Sequence, residues 1–168
     1  MSVKNNNIFL LIWIVVLIAI GGVIGSLTQP AINTWYCALN RSNVTPPNYV
    51  FPIAWTILYG IIGACGWLIW CSQLFQRLNV IKSLYVTHLI LNWGWTPLFF
   101  HYHLTGLSLM VLVLMDILVA TIIWLACRNL RAVSLLMIPY LLWILFATYL
   151  NFYIWQYNWM KINNFLSI

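Results

Sequence analysis

Acidic residues are almost missing: the 168-residue chain has one aspartate, Asp116, and no glutamate. A lone carboxyl group excludes the paired carboxylates of general acid–base hydrolysis. It also leaves a Ser-His-Asp arrangement dependent on Asp116, with no strained serine motif beside it. Charge of either sign is scarce, at 5% of residues, where a soluble domain carries roughly a quarter. The Lys and Arg residues number 7 and give a net charge of +6. They stand singly between apolar runs, which excludes the basic patch of a nucleic-acid interface. Cys37, Cys65, Cys71 and Cys127 include no CxxC pair, so no zinc or redox motif is present, and they read as small buried hydrophobes. There is no glycine-rich phosphate loop and no cluster of metal ligands.

Apolar and aromatic residues fill the space that charge leaves. Hydrophobic residues make up 64% of the chain, mean hydropathy is +0.96, and there are 11 Trp. Such a chain cannot cover a water-facing surface, so the sequence predicts an integral membrane protein. A spanning helix needs about 20 apolar residues. Five segments qualify, at about 8–28, 48–72, 81–100, 104–127 and 133–156. Backbone polar groups in lipid must be satisfied internally, which makes these helices. The first run, from Ile8 to about Leu27, is longer than the roughly 7–15 residues of a signal peptide core and ends in no A-x-A-like site. It reads as a retained transmembrane helix. The expectation is an all-α, five-helix membrane bundle forming one domain over residues 1–168.

The connections are short except the first, residues 29–45, which is long enough to lie across one mouth of the bundle. Pro46 and Pro47 end it and are expected to pre-set the entry to the second helix. In the stretch PPNYVFPIAWTILY (46–59), Phe51, Trp55 and Tyr59 recur at i, i+4, i+8 and share one helical face. In LNWGWTPLFFH (91–101), Asn92, Trp95 and Thr96 share another, and a buried Asn needs partners. In the last helix Pro139, Trp143, Phe146, Ala147, Leu150 and Asn151 form a stripe in which a small Ala between large rings leaves a notch. Trp55, Asn92 and Trp143 are expected to meet in one pocket.

Orientation follows from Lys and Arg. Lys4, Arg77, Lys82, Arg128 and Arg131 fall on one side, Arg41 and Lys161 on the other, which predicts a cytoplasmic N-terminus. Gly21, Gly22 and Gly25 in the first helix, and Gly60, Gly63 and Gly66 in the second, allow close helix approach. Asp116 sits midway along the fourth segment, where an ionised carboxylate is costly. It is expected to face the interior, as a polar relay or hydrogen-bonded to a neighbouring helix. His88 stands one turn before Asn92 and is expected to make a polar contact with it. His101 and His103 lie between the third and fourth segments, as interfacial residues or as haem-iron ligands.

The stretches GGVIG (21–25), TWYCALNRS (34–42), VTPPNYVFPIAWTILYG (44–60), LNWGWTPLFFH (91–101) and PYLLWILFATYLNFYIW (139–155) together resemble the TspO/MBR family of tryptophan-rich sensory and translocator proteins. They occur in family order and touch every segment except the fourth. The resemblance implies a five-helix bundle, often a homodimer, with a pocket at the first-loop end for protoporphyrin, haem or other hydrophobic ligands. No further cofactor is implied. Carried over by position, the ligand-binding residues are Trp35, Phe51, Trp55, Asn92, Trp95, Trp143, Phe146, Ala147 and Leu150. The family implies a receptor or carrier. It also implies, for some members, light- and oxygen-dependent porphyrin breakdown, with Trp35 and Trp143 as the reacting tryptophans. A proton-coupled transporter using Asp116 is a third reading. The animal sterol motif is incomplete here: Leu150 and Tyr153 are followed by Gln156 where a basic residue should stand.

Overall fold

The structure is a computed structural model that describes residues 3–73 and 75–158, with side chains from Ile8 onward. Lys161 and the side chain of Lys4, both used above for orientation, lie outside the described residues. The elements are α1 (Val3–Ser26), α2 (Gln29–Asn33), a 3-10 turn (Tyr36–Ala38), α3 (Val50–Trp70), α4 (Leu78–Phe100), α5 (Thr105–Ala126) and α6 (Arg131–Tyr157). The described residues contain no strand. The chain is an all-α membrane bundle.

The count of five spanning helices is not reproduced by composition. Four helices are long and apolar enough to cross a membrane: α1 over Ile8–Ser26, α3, α5 and α6. Helix α4 has 23 residues, but Lys82, His88 and Asn92 dilute its apolar character. An extra short helix, α2, lies inside the segment expected to be a plain loop. Pro30 in its first turn starts it, as the preset φ of proline favours. Pro46 and Pro47 do not enter the first turn of α3. They belong to an irregular lead-in closed by the Val50 N–H donating to the Pro47 carbonyl at 3.0 Å. Pro52 occupies that first turn instead.

The long helices form a ring in the order α1, α3, α6, α5, α4, with α1 and α4 closing it. The core is built from inward residues of α3 to α6, among them Ile62, Ile81, Tyr85, Met115, Ile122, Met137, Tyr140 and Ile144. Helix α1 contributes one buried residue to this core, Leu17. Of the four cysteines expected to be buried only Cys65 is; Cys37, Cys71 and Cys127 are exposed, as thiols on outward helix ends and loops are. Its outer face, including Leu11, Val15 and Val23, is exposed, as expected of a helix against lipid. Close approach to α3 is made at Gly21 and Gly63. A Cβ on Gly21 would collide with the Tyr59 ring, and one on Gly63 would come 3.1 Å from the Ile14 backbone. Gly22 and Gly25 meet no such neighbour, so the small-residue motif serves contact with α3 at one position only.

The first connection is fastened to the far end of α6. Asn40 N–H donates to Asn158 Oδ1 at 2.7 Å, and Asn158 Nδ2 donates to the Asn40 carbonyl at 2.9 Å and the Ile154 carbonyl at 3.0 Å. The Ser42 and Tyr149 hydroxyls lie 3.0 Å apart. On the other side Trp35 is buried against Phe99, with ring centroids 5.5 Å apart and edge-on geometry, and His103 lies 4.2 Å away. The connection is therefore a packed lid over one end of the bundle.

Candidate functional site

Under this lid lies a cavity of about 590 Å³, within the usual range of about 300–1,000 Å³ for small-ligand sites. Four long helices and the lid supply its wall. Helix α1 gives Ile18 and the bare backbone of Gly21, Gly22 and Gly25; α3 gives Phe51, Trp55 and Tyr59; α4 gives Asn92, Trp95, Thr96, Phe99 and Phe100. Helix α6 gives Trp143, Ala147, Leu150 and Asn151, and Tyr36 and Asn33 close it from the lid. No residue of α5 lines it.

Helical spacing accounts for the grouping. The i, i+4, i+8 face of α3 delivers Phe51, Trp55 and Tyr59, and the rings of Trp55 and Tyr59 lie 5.6 Å apart. The α6 stripe delivers Trp143, which meets Phe51 edge-on at 6.1 Å. Ala147 leaves its notch beside Trp143. Of the nine expected ligand-binding residues, seven are brought together: Phe51, Trp55, Asn92, Trp95, Trp143, Ala147 and Leu150. Trp35 and Phe146 do not line the cavity. Trp35 is turned away into the Phe99–His103 packing, and its neighbour Tyr36 takes the wall position. The 3-10 turn sets this, because adjacent residues on so tight a helix point about 120° apart. Phe146 packs beside Trp143 at 6.0 Å, outside the wall.

The polar groups of the wall are held in a buried network. Tyr59 Oη donates to Asn92 Oδ1 at 2.7 Å, Asn92 Nδ2 donates to Tyr140 Oη at 3.1 Å, and Tyr140 Oη lies 2.7 Å from His88 Nε2. His88 and Asn92 thus meet through Tyr140 of α6 rather than directly. A second corner is held from α5: Asn151 Nδ2 donates to the Thr105 carbonyl at 2.8 Å, and Asn151 Oδ1 accepts from Ser108 Oγ at 2.9 Å and Trp95 Nε1 at 3.3 Å. Tyr59 and Asn151 were legible as members of the right faces but carried no mark of site residues. Tyr140 carried no sequence signal as a partner for Asn92, because only the helix pairing reveals it.

Outside the cavity lining, the Arg41 guanidinium lies 5.2 Å over the Tyr36 ring. Burial raises the Tyr36 hydroxyl above its ordinary value, and the Arg41 charge pulls it back in part. Burial of the His103 ring, and next the neighbouring His101, lower the His103 imidazole below its ordinary value, against a bond to the Phe100 backbone that raises it. His103 adopts φ 55, a left-handed conformation uncommon outside glycine. A shallower depression of about 870 Å³ on the outer side of the lid is lined by Arg41, Ser42, Thr45, Tyr153 and Tyr157.

Asp116 stands apart from the cavity, in the seam between α5 and α6. Its Oδ2 lies 2.8 Å from Thr148 Oγ1, which also lies 2.9 Å from the Ile144 carbonyl. Its Oδ1 is buried without a hydrogen-bond partner.

Fold and site together define a multi-pass helical membrane protein with an aromatic-walled internal cavity. Residues 13–156 match the TspO/MBR family model. The Tryptophan-rich protein TspO of Archaeoglobus fulgidus is 36% identical over 153 residues, covering 91% of this chain and 99% of that protein. The Tryptophan-rich sensory protein of Cereibacter sphaeroides is 33% identical over 137 residues, covering 82% and 84%. The human Translocator protein is 34% identical over 128 residues, covering 74% and 75%. The chain belongs to the TspO/MBR family.

Proposed function

We propose that the protein is a membrane receptor or carrier that takes a flat, hydrophobic ligand, a tetrapyrrole such as protoporphyrin IX or haem, into the cavity beneath the lid. The observation that carries this reading is the wall itself: Phe51, Trp55, Trp95 and Trp143 surround one space with few polar groups. Aromatic faces stack on a flat conjugated ring, and Arg41, next to the lining residue Tyr36, suits the ring's carboxylates. Helix α4 completes a five-span bundle in this reading, its polar residues turned inward. The N-terminus is cytoplasmic, in keeping with Arg77 and Arg128 near one end of the bundle and Arg41 at the other. The working unit is a homodimer.

A photochemical breakdown of the bound porphyrin is the second reading, favoured by Trp143 standing in the wall. Trp35 would act from outside it, one residue behind Tyr36. The test is a titration with protoporphyrin IX in the dark and then under illumination, following tryptophan quenching and the porphyrin absorption band. Saturation in the dark with a band stable in light supports the receptor. Loss of the band in light that depends on Trp143 supports the enzyme. Absence of saturation removes the tetrapyrrole assignment.

A further inference from the structure

The network at the cavity floor has a direction. Asn92 Nδ2 donates to Tyr140 Oη, so the Tyr140 proton is free to go only to His88 Nε2, 2.7 Å away. His88 Nε2 is then an acceptor, and its proton sits on Nδ1, 3.3 Å from the Tyr85 carbonyl. Each group donates to the next: Tyr59 to Asn92, Asn92 to Tyr140, Tyr140 to His88, His88 to the Tyr85 backbone. The opposite His88 tautomer would set a bare Nδ1 against that carbonyl oxygen, so the neutral chain runs one way only. In this polarity the Tyr59 proton is committed to Asn92, and the floor offers the cavity no phenolic donor.

We infer that a proton taken up by His88 reverses the chain and converts Tyr59 into a hydrogen-bond donor facing the cavity, so that the site couples binding of acceptor-bearing ligands to uptake of one proton. With both ring nitrogens protonated, His88 Nε2 donates to Tyr140 Oη. The Tyr140 hydroxyl turns to Asn92, whose amide flips to present Oδ1 to Tyr140 and Nδ2 to Tyr59. Tyr59 Oη now accepts from Asn92, and its own proton is released toward the cavity that it lines. One proton arrives from water at His88; no covalent bond other than that N–H forms.

The ligand class that gains is an apolar molecule bearing a carbonyl or carboxylate oxygen. His88 and Tyr140 are wholly buried, so an imidazolium there is costly alone, and an acceptor or anion at Tyr59 offsets it. By linkage each favours the other. The titratable groups facing this chain are Tyr59 and Cys65 on α3, Tyr85 on α4, Asp116 on α5 and Tyr140 on α6. No lysine or arginine is among them, so His88 is the group of the chain that gains positive charge. His88 is a positioning residue: it acts through Tyr140 and Asn92 and touches no ligand.

The inference rests on the cavity being the ligand site, and the experiment separates the two. Binding of 2-acetylnaphthalene, which carries an acceptor oxygen, and of 2-ethylnaphthalene, which carries none, is followed by tryptophan quenching from pH 8 to pH 5. Binding of 2-ethylnaphthalene tests the cavity alone. For 2-acetylnaphthalene the affinity is expected to rise toward the acid end of this range, by no more than about tenfold per pH unit, the limit for one linked proton, while 2-ethylnaphthalene stays flat. In His88→Phe the Tyr140 proton has no imidazole and must turn to Asn92, so 2-acetylnaphthalene binds tightly at every pH. Tyr140→Phe cuts the chain and also flattens the profile. A measurement independent of ligand and variants is nitrogen NMR of the 15N-histidine-labelled wild type, which should find one buried histidine in the Nδ1–H form at neutral pH. Equal pH profiles for the two naphthalenes, a slope retained in His88→Phe, or an Nε2–H tautomer at His88 overturns the inference.

Discussion

Replacing Asn158 by alanine should open the lid without unfolding the bundle. Its side chain accepts from the Asn40 N–H at 2.7 Å and donates to the Asn40 carbonyl at 2.9 Å. This is a reciprocal pair like one rung of a sheet, and Asn158 is buried while Asn40 is exposed. Each neutral hydrogen bond contributes about 0.5–1.5 kcal/mol net, so two give about 1–3 kcal/mol. Water replaces the lost partners at Asn40, which places the cost toward the lower end of that range. With about 1.4 kcal/mol per factor of ten, a cost of about 1–2 kcal/mol should lower the closed-to-open ratio of the lid about 5- to 30-fold. Amide hydrogen exchange of residues 36–45 should accelerate by that factor, with α3 and α4 unchanged, and ligand dissociation should quicken in step. Asn158→Asp keeps the acceptor and loses the donor, so it should lie between. Exchange that stays slow at residues 36–45, or that accelerates equally through the whole bundle, would refute the latch.

Ala147→Leu should fill the notch beside Trp143 and weaken protoporphyrin binding by tenfold or more, about 1.4 kcal/mol or above; unchanged affinity in the same titration contradicts that placement. Gly21→Ala should push Tyr59 off its seat at an overpacking cost of about 1–3 kcal/mol, read as a lower melting temperature in detergent. Trp143→Phe should reduce tetrapyrrole binding more than Trp13→Phe, because Trp13 packs against Trp70 at 6.3 Å, away from the cavity; equal losses would remove the wall assignment. The imidazole of His103 is held below its ordinary value in the fold, so the folded lid binds fewer protons there than the open chain. Lid packing should therefore weaken as pH falls through about 6.5, the ordinary histidine value. The Trp35 fluorescence change that reports this should be absent in His103→Phe.

Much of the site was legible: helical periodicity marked the faces and the meeting of Trp55, Asn92 and Trp143, and the family resemblance supplied the fuller residue set. The positions of Phe51, Trp55, Asn92, Trp95, Trp143, Ala147 and Leu150 follow once each segment is a helix and its polar or notched face is turned inward. A shared stripe has its own limit: Phe146 lies on the same α6 face yet packs beside Trp143, outside the wall. The other failures lie where periodicity is weak. The lid contains a five-residue helix and a 3-10 turn whose register cannot be read from spacing, and a one-residue difference there decides that Tyr36, not Trp35, meets the cavity. Prolines 46 and 47 mark a boundary, yet the first turn belongs to Pro52, because a hydrogen-bonded turn intervenes. Helix α4 fell short of the composition of a span for the same reason that it matters: His88 and Asn92, which dilute it, are the buried partners of Tyr140. Pairings across helices, such as Asn40 with Asn158 or Thr148 with Asp116, leave no local trace at separations of this size.

Helix α5 stands behind the cavity without touching it. It packs against α4 and α6 and reaches the cavity wall only at one corner, where Thr105 and Ser108 steady Asn151. It is also the segment that the family-like motifs pass over. The bundle thus divides its labour: four helices and a lid line the cavity, and the fifth long helix is a retaining wall. Apart from Asp116, which faces Tyr140, the middle of α5 is one layer removed from the cavity wall. A change there registers in how firmly the cavity keeps its shape, and one at Thr105 or Ser108 also reaches the wall through Asn151.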